Sequence, residues 1–265
     1  MNDTVVLHKC EAREVVFEFD GAQGLSKSER TGEAVVAARA AGVNLTGCDL
    51  RRAYFKQKSD LGGMDFSGCD LEGAVFTACS LRAVNFSGAR LAHSRFDRTA
   101  LDGAHFFAAE CDGASFKGAR GAGVKFGSAI LTRTDFSHSV LPFVRFCRAR
   151  VENACLYGGA FEHSDFSSAT LNDTNLAAAN CRAARFRGAE MRLAPLDAAV
   201  LRAADLREVV MYCCSVNGTD FSGADLRGAR IEGVLMERAK TDGARFGQVA
   251  ESTRVLARVQ SGIER

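Results

Sequence analysis

The sequence predicts an all-β solenoid. Three observations carry that prediction: a five-residue spacing of large apolar residues, a 20-residue register laid over it, and a strongly biased composition. Large apolar side chains recur at every fifth position from Phe66 to Phe246, and only Cys111, Gly121, Cys181 and Thr241 interrupt the run. A period of five matches neither the helix nor the simple strand. It requires a chain that turns a corner every five residues, with a large and a small side chain pointing inward on each side. Four sides then close a square coil of 20 residues. The chain has 19 Phe and 26 Gly but no Trp and only two Pro in 265 residues, a bias expected of one unit copied many times. Its 47% hydrophobic content excludes a disordered chain.

The 20-residue register can be checked column by column. Every fourth centre gives Phe66, Phe86, Phe106, Phe126, Phe146, Phe166, Phe186, Leu206, Leu226 and Phe246, a nearly pure Phe column expected to form the structural core. The opposite side begins Phe76, Phe96, Phe116, Phe136 and continues with Leu156, while a third begins Leu71, Leu91 and Cys111. The fourth side, Leu81, Leu101, Gly121, Leu141, Phe161 and Cys181, is irregular, and the weakest packing is expected there. Two residues after a centre Gly is common, as at Gly68, Gly73 and Gly88, where the bend needs a permissive backbone.

The segments GCDLEGAVF, SGADLRGAR and NGTDFSGADLRG make the chain resemble the pentapeptide repeat protein family over roughly residues 43 to 246. The resemblance implies a right-handed parallel quadrilateral β-helix. At about 4.8 Å per coil, nine to ten coils would form a rod on the order of 45 Å long.

Taken in order, residues 1–42 are expected to form an N-terminal cap. TVVLH and EVVFEFD alternate like a hairpin, and residues 28–41 have helical composition ending at Gly42. A solenoid must cover the apolar cross-section at its ends. Leu45, Leu50 and Phe55 sit one residue out of phase with Phe66, so Lys56 to Gly63 holds one extra residue, read as a bulge or small loop. Residues 43–246 form the repeat. In residues 247–265, Val255, Leu256, Val259 and Ile263 are spaced for an amphipathic helix that caps the last coil or dimerises. Because some members of the family pair through their C-terminal ends, the resemblance also implies a homodimer.

Residues 1–16 lack the apolar core of a signal peptide, and no apolar run of 18 residues spans a membrane, so a cytoplasmic protein with reduced thiols is expected. No catalytic residue, metal site or cofactor is expected. The corner positions of His93, His138 and His163 lie on different corners, the ten Cys show no CxxC spacing, and the GxG of Gly121 to Gly123 opens no helix. A filled rod also has no cleft from which water is excluded.

The expected function is a non-catalytic protein–protein scaffold or adaptor that binds through the faces or ends of the rod. The resemblance brings two alternatives. One is a DNA-mimicking binder of DNA gyrase or topoisomerase that protects against quinolones or toxins. The other is an adaptor or immunity protein associated with secretion systems or toxins in a bacterium. Mimicry needs a strong negative field, whereas the net charge is +2, and residues 43–246 hold 26 Lys and Arg against 23 Asp and Glu. Candidate partner-binding residues are Arg182, Arg187, Arg202, Arg207 and Arg227, which share the position after a centre, and the outward aromatics Phe107, Phe143 and Tyr157. Val140, Pro142 and Tyr212 also point outward. Aromatic residues do not interleave with the arginines, which argues against sequence-specific nucleic-acid binding.

Overall fold

The structure is a computed structural model and describes residues 4–11, 13–21 and 23–247. Its bulk is a solenoid in which the residue before each centre pairs in parallel with its counterpart 20 residues on, as in Asp65↔Asn85, Asn85↔His105 and His105↔Lys125. Four such bridges per turn define four sides. The bonding repeats on each side. The centre and the second corner residue donate to the following coil (Phe66 N to Asn85 O, 2.7 Å; Gly68 N to Ser87 O, 3.0 Å), and the bridging residue donates to the preceding one (Asn85 N to Met64 O, 2.9 Å). Each corner is then closed by a turn bond such as Cys69 N to Phe66 O at 3.1 Å. Longer pairings stand out as β3 (Glu190–Arg192), β4 (Val210–Tyr212), β5 (Asp225–Leu226), β6 (Arg230–Glu232) and β7 (Arg245–Phe246), all parallel.

From Gly63 to Gly233 the second corner residue sits at positive φ, whether or not it is Gly: Gly68 at 64°, but also His93 at 58°, Phe143 at 60° and Leu193 at 54°. A turn with positive φ at its third residue favours Gly, so each non-Gly corner carries a local strain that the inter-coil bonding holds in place.

Inside, the Phe66 column stacks ring on ring. Phe86, Phe106, Phe126 and Phe146 lie 4.6 to 5.2 Å apart, and the Phe76 column beside it stacks likewise at 4.7 to 4.9 Å. Between columns the rings meet edge-on, as for Phe116 and Phe126 at 5.3 Å and 89°. Both geometries suit the ring quadrupole. Phe66 through Leu206 in this column are fully buried and Leu226 is 2% exposed. Phe246 is only half-buried, because no coil among the described residues lies above it. The centres of the irregular side from Leu81 to Phe221 are no more exposed than those of the other sides. Most hydroxyls at the small inward position donate to backbone carbonyls, as in Ser94 Oγ to Leu91 O (2.6 Å) and Thr219 Oγ1 to Leu196 O (2.7 Å), while the buried Ser139 hydroxyl has no protein partner among the described residues.

Gly121 is the exception in that irregular column. A Cβ there would lie 2.6 Å from Leu101 C and Asp102 N. The backbone of the preceding coil lies where a side chain at this position would begin.

Before the solenoid, β1 (Thr4–His8) and β2 (Val15–Asp20) pair antiparallel, and α1 (Lys27–Ala40) follows. Ser26 caps α1, accepting from Glu29 N while the Glu29 carboxylate accepts from Ser26 N at 2.8 Å, a capping box. Leu7, Ala34, Val35 and Ala38 are buried in one cluster with Leu45, Cys48, Leu50 and Phe55 of the first coil. Tyr54 N donates to Ser28 O (2.9 Å), and Gly32 passes so close to Tyr54 O that no Cβ would fit. The first coil is offset by 21 residues, as in Asp49↔Asp70 and Tyr54↔Val75. The offset returns to 20 at Asp60↔Ser80, so the extra residue lies between Phe55 and Asp60. Val255, Leu256, Val259 and Ile263 lie outside the described residues.

Candidate functional site

With the interior filled by side chains, binding falls to the four outer sides. Each is named here by its first centre and carries the bridging residue and the two corner residues of every coil. The bases and acids of residues 43–246 divide unequally among them. The Phe66 side has eight bases and five acids, the Leu71 side seven and nine, the Phe76 side six and four, and the Leu81 side five and five. No side exceeds a net charge of −2. On the Leu71 side five of the nine acids are neutralised in place: Asp49 by Arg51 (2.5 Å), Asp70 by Arg90 (2.9 Å), Glu152 by Arg150 (3.4 Å), and Asp112 and Glu190 by Arg133 and Arg192.

The five candidate arginines fall on two adjacent columns, and four of them are engaged. Arg187 pairs with Glu208 at 2.8 Å, Arg207 with Asp205 at 2.6 Å, Arg227 with Asp225 at 2.6 Å and Arg202 with Asp220 at 3.7 Å. Arg182 is exposed, and its backbone N–H donates to Asn180 Oδ1. The Arg227 guanidinium, bonded to both Asp225 oxygens, holds that carboxyl down at about 2. Arg207 lowers Asp205 in the same way. A like-charged ladder is thus interleaved with acids and forms no free cationic strip.

The aromatics do not converge either. Phe107, 58% exposed, stands at the corner between the Phe66 and Leu71 sides, with its ring over Gly127. Phe143 and Tyr157, 55% and 43% exposed, stand at the two corners of the Leu81 side, with Val140 and Ala160 paired between them. Each is held by a histidine one coil away: Phe143 stacks on His163 (5.2 Å, 11°), and Tyr157 meets His138 edge-on (5.5 Å, 88°). From Gly121 to Asn180 the only formal charge on this side is Glu162. Leu193 and Leu235, 56% and 72% exposed, were not singled out from the sequence. Leu193 sits two residues after a centre, so the register itself would have placed it outward.

Among the described residues no group of His, Cys, Asp and Glu is arranged to hold a metal, and no helix is long and apolar enough to cross a membrane. The ten thiols are unpaired. Burial pushes Cys69 up to about 12 and Cys79 to about 11, and raises Cys111 and Cys181 further. Thiols so raised stay protonated at neutral pH and are poor nucleophiles. His105 is lowered, first by burial and then by Lys125, whose Nζ lies 3.0 Å from its Nε2.

The family profile described as a pentapeptide repeat region matches residues 38–106, and that described as pentapeptide repeats (8 copies) matches 129–167, 154–192, 164–202 and 199–238. The chain belongs to the pentapeptide repeat family. Among solved structures this pentapeptide repeat protein is similar to HetL, described as involved in heterocyst differentiation regulation in the cyanobacterium Nostoc sp. strain PCC 7120. The TM-score is 0.62 at 20% identity over 82% of this chain and 98% of that one. It also aligns with a trypsin-treated form of QnrB1, a plasmid-mediated fluoroquinolone resistance protein, at a TM-score of 0.44 and 12% identity over 80% and 95% of the two chains. The likeness to HetL agrees with a right-handed β-helical solenoid. A search of curated proteins gives no match.

Proposed function

We propose that this pentapeptide repeat protein is a non-catalytic docking rod that holds another protein against its Leu81 side. The supporting observation is the nearly uncharged stretch of that side from Gly121 to Asn180, in which Val140 and Phe143 are exposed at 41% and 55%, with Tyr157, 43% exposed, at the corner it shares with the Phe76 side. Elsewhere on the rod charged side chains are frequent, and many of the acids are met by arginines within ion-pair distance, as at Asp205, Glu208 and Asp225. Here the surface is apolar, shallow and flanked by two aromatic rings held in place by histidines. Aromatic anchors surrounded by small residues suit a partner with a matching uncharged, apolar face. The duplex-mimic reading lacks its physical basis, since no side carries more than two acids in excess. We further infer that β1, β2 and α1 cap the first coil, because Leu7, Ala34, Val35 and Ala38 complete its apolar end.

The test is a photo-crosslinking residue placed at Phe143 or, as a control, at Ser87, in the native host. The expected result is an adduct found only at position 143, competed away by wild-type protein but not by Phe143→Glu. Adducts of equal yield at both positions, or competition by the variant, would overturn the proposal.

A further inference from the structure

A second surface lies at the N-terminal cap, away from that side. β1 bonds β2 along one edge, and at its C-terminal end it is tied to the first coil: Asp49 N donates to His8 O and Cys10 N to Gly47 O, both at 2.8 Å. From Thr4 to Leu7 the edge away from β2 has no backbone partner among the described residues. That edge forms one wall of a groove. The start of α1 forms another wall, with Lys27, Ser28, Arg30 and Thr31, and Asp49, Arg51, Arg52 and Glu72 of the first two coils complete the lining.

All five residues of β1 line this groove. Successive side chains of a strand point to opposite faces. A groove touched by five residues in a row therefore runs along the strand's edge, where main-chain donors and acceptors are offered. Natural proteins blunt such edges with Lys, Pro or a bulge. The segment TVVL carries no Lys or Pro, the one irregularity of its pairing with β2 falls at its end between Leu7 and His8, and its Val5 and Val6 favour pairing. The groove is also electropositive. Arg51 is engaged with Asp49 through two contacts, Nε to Oδ1 at 2.8 Å and Nη2 to Oδ2 at 2.5 Å, and the exposed Lys27 and Arg52 make no ion pair with a described residue. The positive end of α1 opens onto the same wall.

We propose that this groove binds an extended acidic peptide segment, which adds to β1 as a third strand. Main-chain bonds to the Thr4–Leu7 edge would supply affinity whatever the side chains, and carboxylates at alternate positions would select for Lys27 and Arg52. Four residues of free edge, Thr4 to Leu7, with a residue or so of overhang at each end, set the length of the segment at roughly five to seven residues at about 3.4 Å each.

The experiment uses the full chain and a fluorescein-labelled seven-residue peptide alternating glutamate and valine, followed by fluorescence anisotropy. Saturable binding is expected. It should be weakened at least tenfold by N-methylation of alternate peptide amides, and several-fold by Lys27→Glu with Arg52→Glu, two exposed positions whose replacement leaves the melting temperature unchanged. A peptide with lysine in place of glutamate should bind far more weakly. Equal binding of the methylated and unmodified peptides would overturn the strand-addition geometry. Equal binding of the glutamate and lysine peptides would overturn the acidic partner. Self-association of the free protein that the peptide does not displace would also overturn the proposal, by showing that a second copy takes the edge.

Discussion

Replacing Phe126 by Ala probes the interior at its best-packed point. The ring is fully buried, stacked between Phe106 at 4.6 Å and Phe146 at 5.2 Å, and met edge-on by Phe116 at 5.3 Å and Phe136 at 5.4 Å. Truncating a buried Phe costs about 3 to 5 kcal/mol through lost transfer energy and the cavity left behind. Aromatic pairs add about 0.5 to 1.5 kcal/mol each beyond burial. Part of that is already counted in measured truncations, which places the expected loss near 5 kcal/mol. A solenoid couples each coil only to its neighbours, so the damage falls on the coupling between the coils of Phe106 and Phe146. The assay is a guanidinium titration followed by far-ultraviolet circular dichroism on wild type, Phe126→Ala and the exposed control Phe107→Ala, whose change should stay within about 0.5 kcal/mol. A loss under about 1 kcal/mol for Phe126→Ala, or equal losses for the two variants, would refute the register.

Other expectations follow from single positions. Gly121→Ala drives a Cβ into the backbone of Leu101 and Asp102 at 2.6 Å, and should destabilise by about 1 to 3 kcal/mol in the same titration. A neutral outcome would mean that the coil there is not pressed against the one before it. Asp49, Asp205 and Asp225 all titrate below their ordinary values, mainly through hydrogen bonds from Arg51, Arg207 and Arg227. The unfolded chain therefore binds protons more readily than the folded one. This contribution is complete above about pH 5 and is lost as the pH falls through the unfolded value near 4 towards about 2, the folded value of Asp225. Arg227→Gln should flatten the melting temperature against pH between 4 and 2, and an unchanged slope would contradict the cause assigned. With Ellman's reagent, Cys10 and Cys213, the exposed thiols, should react in the native protein, while Cys69, Cys79, Cys111 and Cys181 react only on unfolding. Fast labelling of any of those four would contradict their burial.

The family was legible in the sequence because the interior imposes itself at fixed positions. A column such as Phe86, Phe106 and Phe126 appears at a 20-residue spacing since only side chains of one kind stack through consecutive coils. Gly121 was harder to read, because a missing side chain does not reveal that the backbone of the preceding coil lies where its Cβ would be. The outer sides were legible only in part. The register tells which residues point outward, and counting by 20 brings Phe143 to the same side as Val140 while leaving Phe107 on another corner. It does not set the rotamers by which Arg207 reaches Asp205, so an arginine ladder and an ion-paired face look alike in the sequence. Nor does a spacing of alternating apolar residues in TVVLH reveal that one edge of the strand lines a groove.

The central claim is that a partner docks on the apolar Leu81 side and not on a charged one. It is tested most directly by retaining the host partner on immobilised wild type, Phe143→Glu and Arg207→Glu at low and at high salt. Attraction between exposed charges is largely screened at 1 M salt, where the Debye length is about 3 Å, while apolar burial is not weakened. The account predicts one partner that survives high salt on wild type and on Arg207→Glu but is lost on Phe143→Glu at either salt. A partner washed off by salt, retained by Phe143→Glu and lost on Arg207→Glu would contradict it and move the binding surface to the arginine face.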